Sequence, residues 1–237
     1  MESRQNIKYD ARLRMGMQRG KAILMPIMMV PYGFIISFLF AGAFGLVVLL
    51  TSPLNLGDFL EMLIGIPVFF LLAGAAIMIL IVMQINIAGE YIKIYNNEKA
   101  SLWASVTGLR VGFFRKCAGV LWMGLWLLIW FSLLVVPGFM KAFSYYFTPY
   151  ILAECPSVKP RSALKISMQI TKGHRWSIFV FMLSFMGWLV LSAFTFGILT
   201  IVYVGPYYFT ALAGLYVEMR DEALASGRIT RADLGWG

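Results

Sequence analysis

The feature that most constrains this chain is a set of four long stretches without a charged residue: Ala22 to Gly57, Met62 to Gly89, Cys117 to Met140 and Trp176 to Val217. An ionised side chain at the centre of a bilayer costs at least about 2.5 to 3.5 kcal/mol, so long uncharged runs are what a membrane-spanning helix demands. One helix needs roughly 20 apolar residues to cross. The last run is about twice that length, and Phe196-Gly197 near its middle can turn the chain, so it predicts two helices. With 60% hydrophobic and only 13% charged residues, composition excludes a water-soluble domain and leaves no room for a soluble catalytic one.

Between Lys141 and Glu154 lies a shorter apolar run that reaches spanning length only if those two residues sit at the two interfaces, which snorkelling of the Lys141 side chain allows. The positive-inside rule decides whether it crosses. With six spans, all 20 Lys and Arg residues except Lys141 fall in cytoplasmic segments. With five, the basic segment around Lys159 to Arg175 and the basic C-terminal segment would lie outside. The expectation is a single all-α domain over residues 1–237, a polytopic membrane protein of six transmembrane helices arranged as three hairpins, with short basic amphipathic cytoplasmic helices. The predicted spans are 22–50, 63–88, 117–136, 139–155, 176–196 and 198–217, joined by cytoplasmic segments 1–21, 89–116, 156–175 and 218–237. Pro137-Gly138 and Phe196-Gly197 become tight outer turns, Thr51 to Met62 is the one outer loop of appreciable size, and both termini are cytoplasmic. The first apolar run exceeds the roughly 7 to 15 residues of a signal-peptide core and is read as a retained helix. The net charge of +9 then reports loop charges and anionic lipid rather than nucleic acid.

Each hairpin follows a basic segment. Ala11 to Gln18 resembles Ser162 to Gln169, both runs stop at a glycine (Gly20 and Gly173), and Glu90, Glu154 and Glu218 close the three hairpins at equal spacing. A repeat of parallel hairpins would produce this pattern. So would any chain of three hairpins obeying the positive-inside rule. Pro160 suits a helix start and Gly173 a left-handed stop, which predicts a helix over 160–172 lying along the cytoplasmic surface. Its basic side, Arg161, Lys165 and Lys172, together with Arg175, is a candidate set of contacts for anionic lipid headgroups. Plain anchoring and topology control explain the same residues.

Catalytic chemistry is sparse. His174 is the only histidine, and Cys117 and Cys155 the only cysteines, expected as free thiols on the reducing side of the membrane. No metal-ligand spacing occurs, no cofactor is implied, and none of the spans carries an ionisable residue at its centre, which argues against an ion-coupled carrier. A membrane enzyme would require His174, Glu154 and tyrosines to converge from distant segments. The more informative residues are Pro149 and Pro206, predicted to kink the fourth and sixth spans, with Tyr145, Tyr150, Tyr203 and Tyr207 around them as a candidate polar-aromatic pocket. Tyrosines at interface belts and ordinary structural kinks are the competing reading.

Val136-Pro137-Gly138-Phe139, Tyr150 through Pro156, Ser162-Ala163-Leu164 with Ser167, Lys172-Gly173-His174, Leu183 through Trp188, Thr195 through Ile198 and Pro206-Tyr207-Tyr208 together resemble the signature of a bacterial integral membrane family known as domain of unknown function 975. The likeness is strongest from about Val135 to Glu218, and Ala11 to Gly20 is similar to the family's opening. Glu154-Cys155 departs from the Asp-Asn more usual there. The resemblance implies a six-helix protein of the bacterial plasma membrane and no defined activity. A looser likeness to the membrane domain attached to some glycerophosphodiester phosphodiesterases implies work near lipid, without that enzyme's chemistry. The residues thus favour a non-enzymatic scaffold or accessory subunit that contacts lipids and another membrane protein, supported by small residues such as Ala41 and Gly45 that permit close helix contact. The alternative is a permease or lipid-handling protein using the kinked fourth and sixth helices.

Overall fold

The computed structural model describes residues 4–51 and 58–236, and among these every regular element is helical. The predicted outer loop around Thr51 to Met62 falls largely outside the described residues. Helix α1 (Arg4–Met17) is followed by two long helices, α2 (Arg19–Thr51) and α3 (Asp58–Tyr95). A single turn, α4 (Ala104–Thr107), leads to α5 (Phe113–Leu133), α6 (Val135–Tyr145) and α7 (Thr148–Glu154). Then come α8 (Pro160–Ile170), α9 (Arg175–Leu183), α10 (Met186–Ala193), a π-helical turn (Thr200–Val204) and α11 (Gly205–Ala225).

Among the described residues, five segments are long and apolar enough to cross a membrane: Arg19–Leu46, Gly65–Tyr95, Phe113–Leu133, Arg175–Ala193 and Thr200–Ala225. The expected fourth span is not a continuous helix. It divides into α6 and α7, of 11 and 7 residues, separated at Tyr146 and Phe147. The preceding turn also moves. Leu134 is extended (φ −159°, ψ 138°) and bends the chain between α5 and α6, so Pro137 and Gly138 lie inside the first turn of α6. Proline is harmless there because the first amides of a helix have no intrahelical partner. Gly138 lies against the Phe131 ring, where an added Cβ would come within 2.6 Å, which closes the α5–α6 hairpin. The second predicted turn falls where expected: Phe196 and Gly197 both take positive φ, 50° and 81°, and the Gly197 amide donates to the Ser192 carbonyl.

Helix α8 also starts and stops as expected, at Pro160 and before Gly173 (φ 85°). It does not lie free on a surface. Ala163, Leu164, Ile166, Ser167 and Ile170 are buried against α5, α6, α7 and α11, and the hydroxyls of Ser167 and Thr171 both donate to the Ser144 carbonyl of α6. Helix α1 behaves alike, burying Ile7, Ala11 and Met15 at successive i+4 positions against α11 and α3.

The core occupies one end of the bundle, where α2 and α5 begin and α3 and α11 finish. Ala22 and Met25 of α2, Val82 to Tyr95 of α3, most of α7 and most of α11 are buried there. Elsewhere large apolar side chains face outward, Phe34, Phe38, Phe70 and Phe196 among them. Helices α3 and α11 meet tightly, and a Cβ on Gly214 would stand 2.3 Å from the fully buried Tyr95 ring. Gly214→Ala is therefore expected to lower stability by about 1 to 3 kcal/mol through overpacking, read as a fall in Tm of the purified protein in detergent; an unchanged Tm would contradict this packing.

Candidate functional site

Pro149 is the second residue of α7, where its missing N–H and fixed φ fit the first turn. Pro206 sits in continuous helical backbone: the chain is helical from Ile198, and the π-helical turn Thr200–Val204 runs directly into α11 with Val204 and Gly205 at right-handed helical angles, so a π-bulge precedes this proline. The irregular backbone lies just before them, at Tyr146 and Phe147 and in the π-helical turn Thr200–Val204. Tyr150, Tyr203 and Tyr207 belong to one aromatic cluster, joined through Phe185, Tyr208, Tyr146 and Phe147. Tyr150 packs its ring 5.5 Å from that of Tyr216 beside Phe147, while Tyr203 and Tyr207, 5.8 Å apart, pack with Trp188 and Phe185. Tyr145 is buried at the end of α6, and the adjacent Tyr146 shares a 3.1 Å hydroxyl contact with Tyr208. These rings are engaged with one another in an aromatic core.

Of the basic candidates, Arg161 and Lys165 occupy the exposed side of α8, with the Arg161 guanidinium 4.5 Å above the Trp122 ring. That stacking shields part of the cation. Lys165 borders a polar groove of about 530 Å³ with Ser157, Ser162 and Asp233. Two donations from Thr230 hold the Asp233 carboxyl below its ordinary range and tie down the C-terminal turn. Lys172 is exposed, and its carbonyl accepts from Arg228. Arg175 lies apart, beyond the Gly173 turn, lining an apolar groove of about 580 Å³ with Phe139, Phe143 and Trp176.

His174 and Glu154 engage different faces of α11. His174 Nε2 is 2.9 Å from Glu222 Oε1, whereas Glu154 accepts from Tyr216 Oη at 2.7 Å and pairs with Arg220. Residues 220 and 222 point about 200° apart on a helix, so the two groups do not share a site. Cys117 and Cys155 are free thiols. Beside Cys155, Arg115 donates to the carbonyls of Leu152, Cys155 and Val158, satisfying the exposed end of α7.

The cluster of polar groups that the sequence reading missed lies between α3, α4, α5 and α7. A cleft of about 530 Å³ is lined by Asn86, Glu90, Lys93, Thr107, Lys116 and Glu154, with Gly89, Gly108 and Ala153 among its walls. Lys116 Nζ donates to Asn86 Oδ1 at 2.5 Å and to the Gly108 carbonyl at 3.3 Å. Glu90 accepts from Lys93 at 2.7 Å and from the Ser101 amide at 2.6 Å. The signal was present: Asn86 interrupts an apolar run and Lys116 opens another, but counted singly they read as a helix–helix contact and a topology charge. The Glu154–Arg220 pair is mostly buried on both sides, with side chains 15% and 8% exposed. Arg220→Leu, which strands the carboxylate, is expected to cost about 3 to 5 kcal/mol by thermal unfolding in detergent, and adding Glu154→Gln should restore more than half of it.

A family model described as Protein of unknown function (DUF975) matches residues 59–223. Neither the curated proteins nor the solved structures contain a match to the chain.

Proposed function

The chain belongs to the DUF975 family of proteins of unknown function, and we propose that it works as a non-enzymatic scaffold or accessory subunit, docking another integral membrane protein in a bacterial plasma membrane. The observation that carries this reading is a contrast between its glycines. Gly89, Gly108, Gly119, Gly138 and Gly214 are all in tight contact within the chain, while a Cβ on Gly33, Gly42, Gly45, Gly65 or Gly74 would meet nothing within 4 Å. All five of the latter lie on α2 and α3. Small residues in membrane helices let another backbone approach closely, and here they are left unused by the chain itself. The permease alternative draws its support from the irregular backbone before Pro149 and Pro206, but the tyrosines there are occupied with one another.

Replacing Gly42 and Gly45 together by Leu should change stability by less than about 0.5 kcal/mol, as for an uncrowded surface, and should abolish co-purification of a membrane partner after crosslinking in cells. Retention of the same crosslinked partner would overturn the assignment of this face.

The same reading has six crossings, with both termini in the cytoplasm and basic residues facing anionic lipid. Together α6 and α7 approach the length that a hydrocarbon core of about 30 Å requires, and the polar groups at their break are buried in protein, where irregular backbone is tolerated. In a protein whose two cysteines are changed to Ser, an impermeant maleimide should label Val136→Cys in intact cells, and Lys159→Cys and Thr230→Cys only after permeabilisation. External labelling of the last two would favour five crossings instead.

A further inference from the structure

We infer that the cleft between α3, α4, α5 and α7 is a binding site for a small zwitterion that joins a primary ammonium to an oxyanion. The argument begins with Lys116, which is 5% exposed. Among the described residues its ammonium enters no ion pair; both acceptors it meets, Asn86 Oδ1 and the Gly108 carbonyl, are neutral. A buried cation without a counter-ion is costly even after relaxation, and an anion arriving through the cleft relieves that cost. The ammonium has three donors and two are engaged, which leaves one for the ligand.

The opposite sign is built into the same cleft. Glu90 is 4% exposed, and among the described residues each of its carboxylate oxygens accepts a single hydrogen bond, from Lys93 or from the Ser101 amide, leaving further acceptor capacity. Its cationic partner Lys93 has a half-exposed side chain and is free to swing aside for an incoming ammonium. Glu98 adds a second carboxylate-bearing residue to the lining, while the carboxylate of Glu154 is held by Tyr216 and Arg220. The volume of about 530 Å³ lies within the range of small-molecule sites. Lone anions are opposed by Glu90 and bare metal cations by Lys93 and Lys116, so a ligand carrying both charges matches the walls best. This chemistry belongs equally to a free amino acid and to the ethanolamine phosphate headgroup of a lipid. The site is separate from the α2–α3 face and does not depend on the docking role.

The test uses the full chain purified in detergent, titrated with glycine and with O-phosphoethanolamine, and with ethanolamine and inorganic phosphate separately, reading Tm and isothermal heat. A saturable rise in Tm with at least one zwitterion, absent with the separate halves at equal concentration, is the expected result. Glycine alone active identifies an amino-acid site; phosphoethanolamine alone active identifies a headgroup site, and both active a site reading only the shared charges. Lys116→Met and the isosteric Glu90→Gln should each weaken binding by at least about 10-fold, as for loss of one partner of a buried charge contact. Glu90→Gln keeps an acceptor for the Ser101 amide and so serves where Lys116→Met fails to fold. No response to either zwitterion, an equal response to the halves, or unaltered binding by a folded Glu90→Gln protein would overturn the proposal.

Discussion

The close meeting of α3, α7 and α11 at one end of the bundle is the contact on which the rest of the structure depends. Gly214 admits the Tyr95 ring where a side chain would otherwise stand, and Gly89 brings α3 against Ala153 of α7. Glu154, at the end of α7, then reaches Tyr216 and Arg220 on α11. Because α3 packs this tightly against both α7 and α11, the polar groups near their ends are desolvated together and must satisfy one another. Helices α1 and α8 close around this centre with their apolar sides, and Arg115 serves the open carbonyls of α7.

Helices α2 and α3 have 33 and 38 residues, which at about 1.5 Å per residue makes each far longer than a hydrocarbon core of about 30 Å. A helix surrounded by lipid gains nothing from gathering its apolar side chains, and an apolar exposed surface is what Phe34, Phe38 and Phe70 present. Val82 to Tyr95 and most of α11 are instead covered by protein. The same division explains the glycines: inner ones are filled by neighbours, outer ones on α2 and α3 remain open.

Much of the helical organisation was legible in the residues. Charge-free runs marked the long helices, Phe196-Gly197 marked a turn, and Pro160 with Gly173 marked α8, because each depends on local backbone preference or on the cost of a charge in lipid. Leu134 carried no comparable mark. Its extended backbone arises from the packing of α6 onto α5, and so displaced the turn expected at Pro137-Gly138. The prolines were legible as disruptions, but the form each disruption takes depends on its surroundings: a break at Tyr146 and Phe147 before Pro149, and a π-bulge within continuous helix before Pro206. The candidate tyrosines were expected to line a polar-aromatic pocket; which rings each one meets depended on how α7 and α11 pack.

By itself the sequence determined that this is an all-helical chain with membrane-length apolar segments and basic connections, since those follow from residue-by-residue transfer costs and helix signals. Only the tertiary structure decided that the basic helices α1 and α8 bury one side against protein, that the fourth apolar segment breaks in two, and that Asn86, Glu90, Lys116 and Glu154 line a common cleft. Residues drawn from three helices far apart in the chain acquire a shared environment only when packing brings them together. No local periodicity records that proximity.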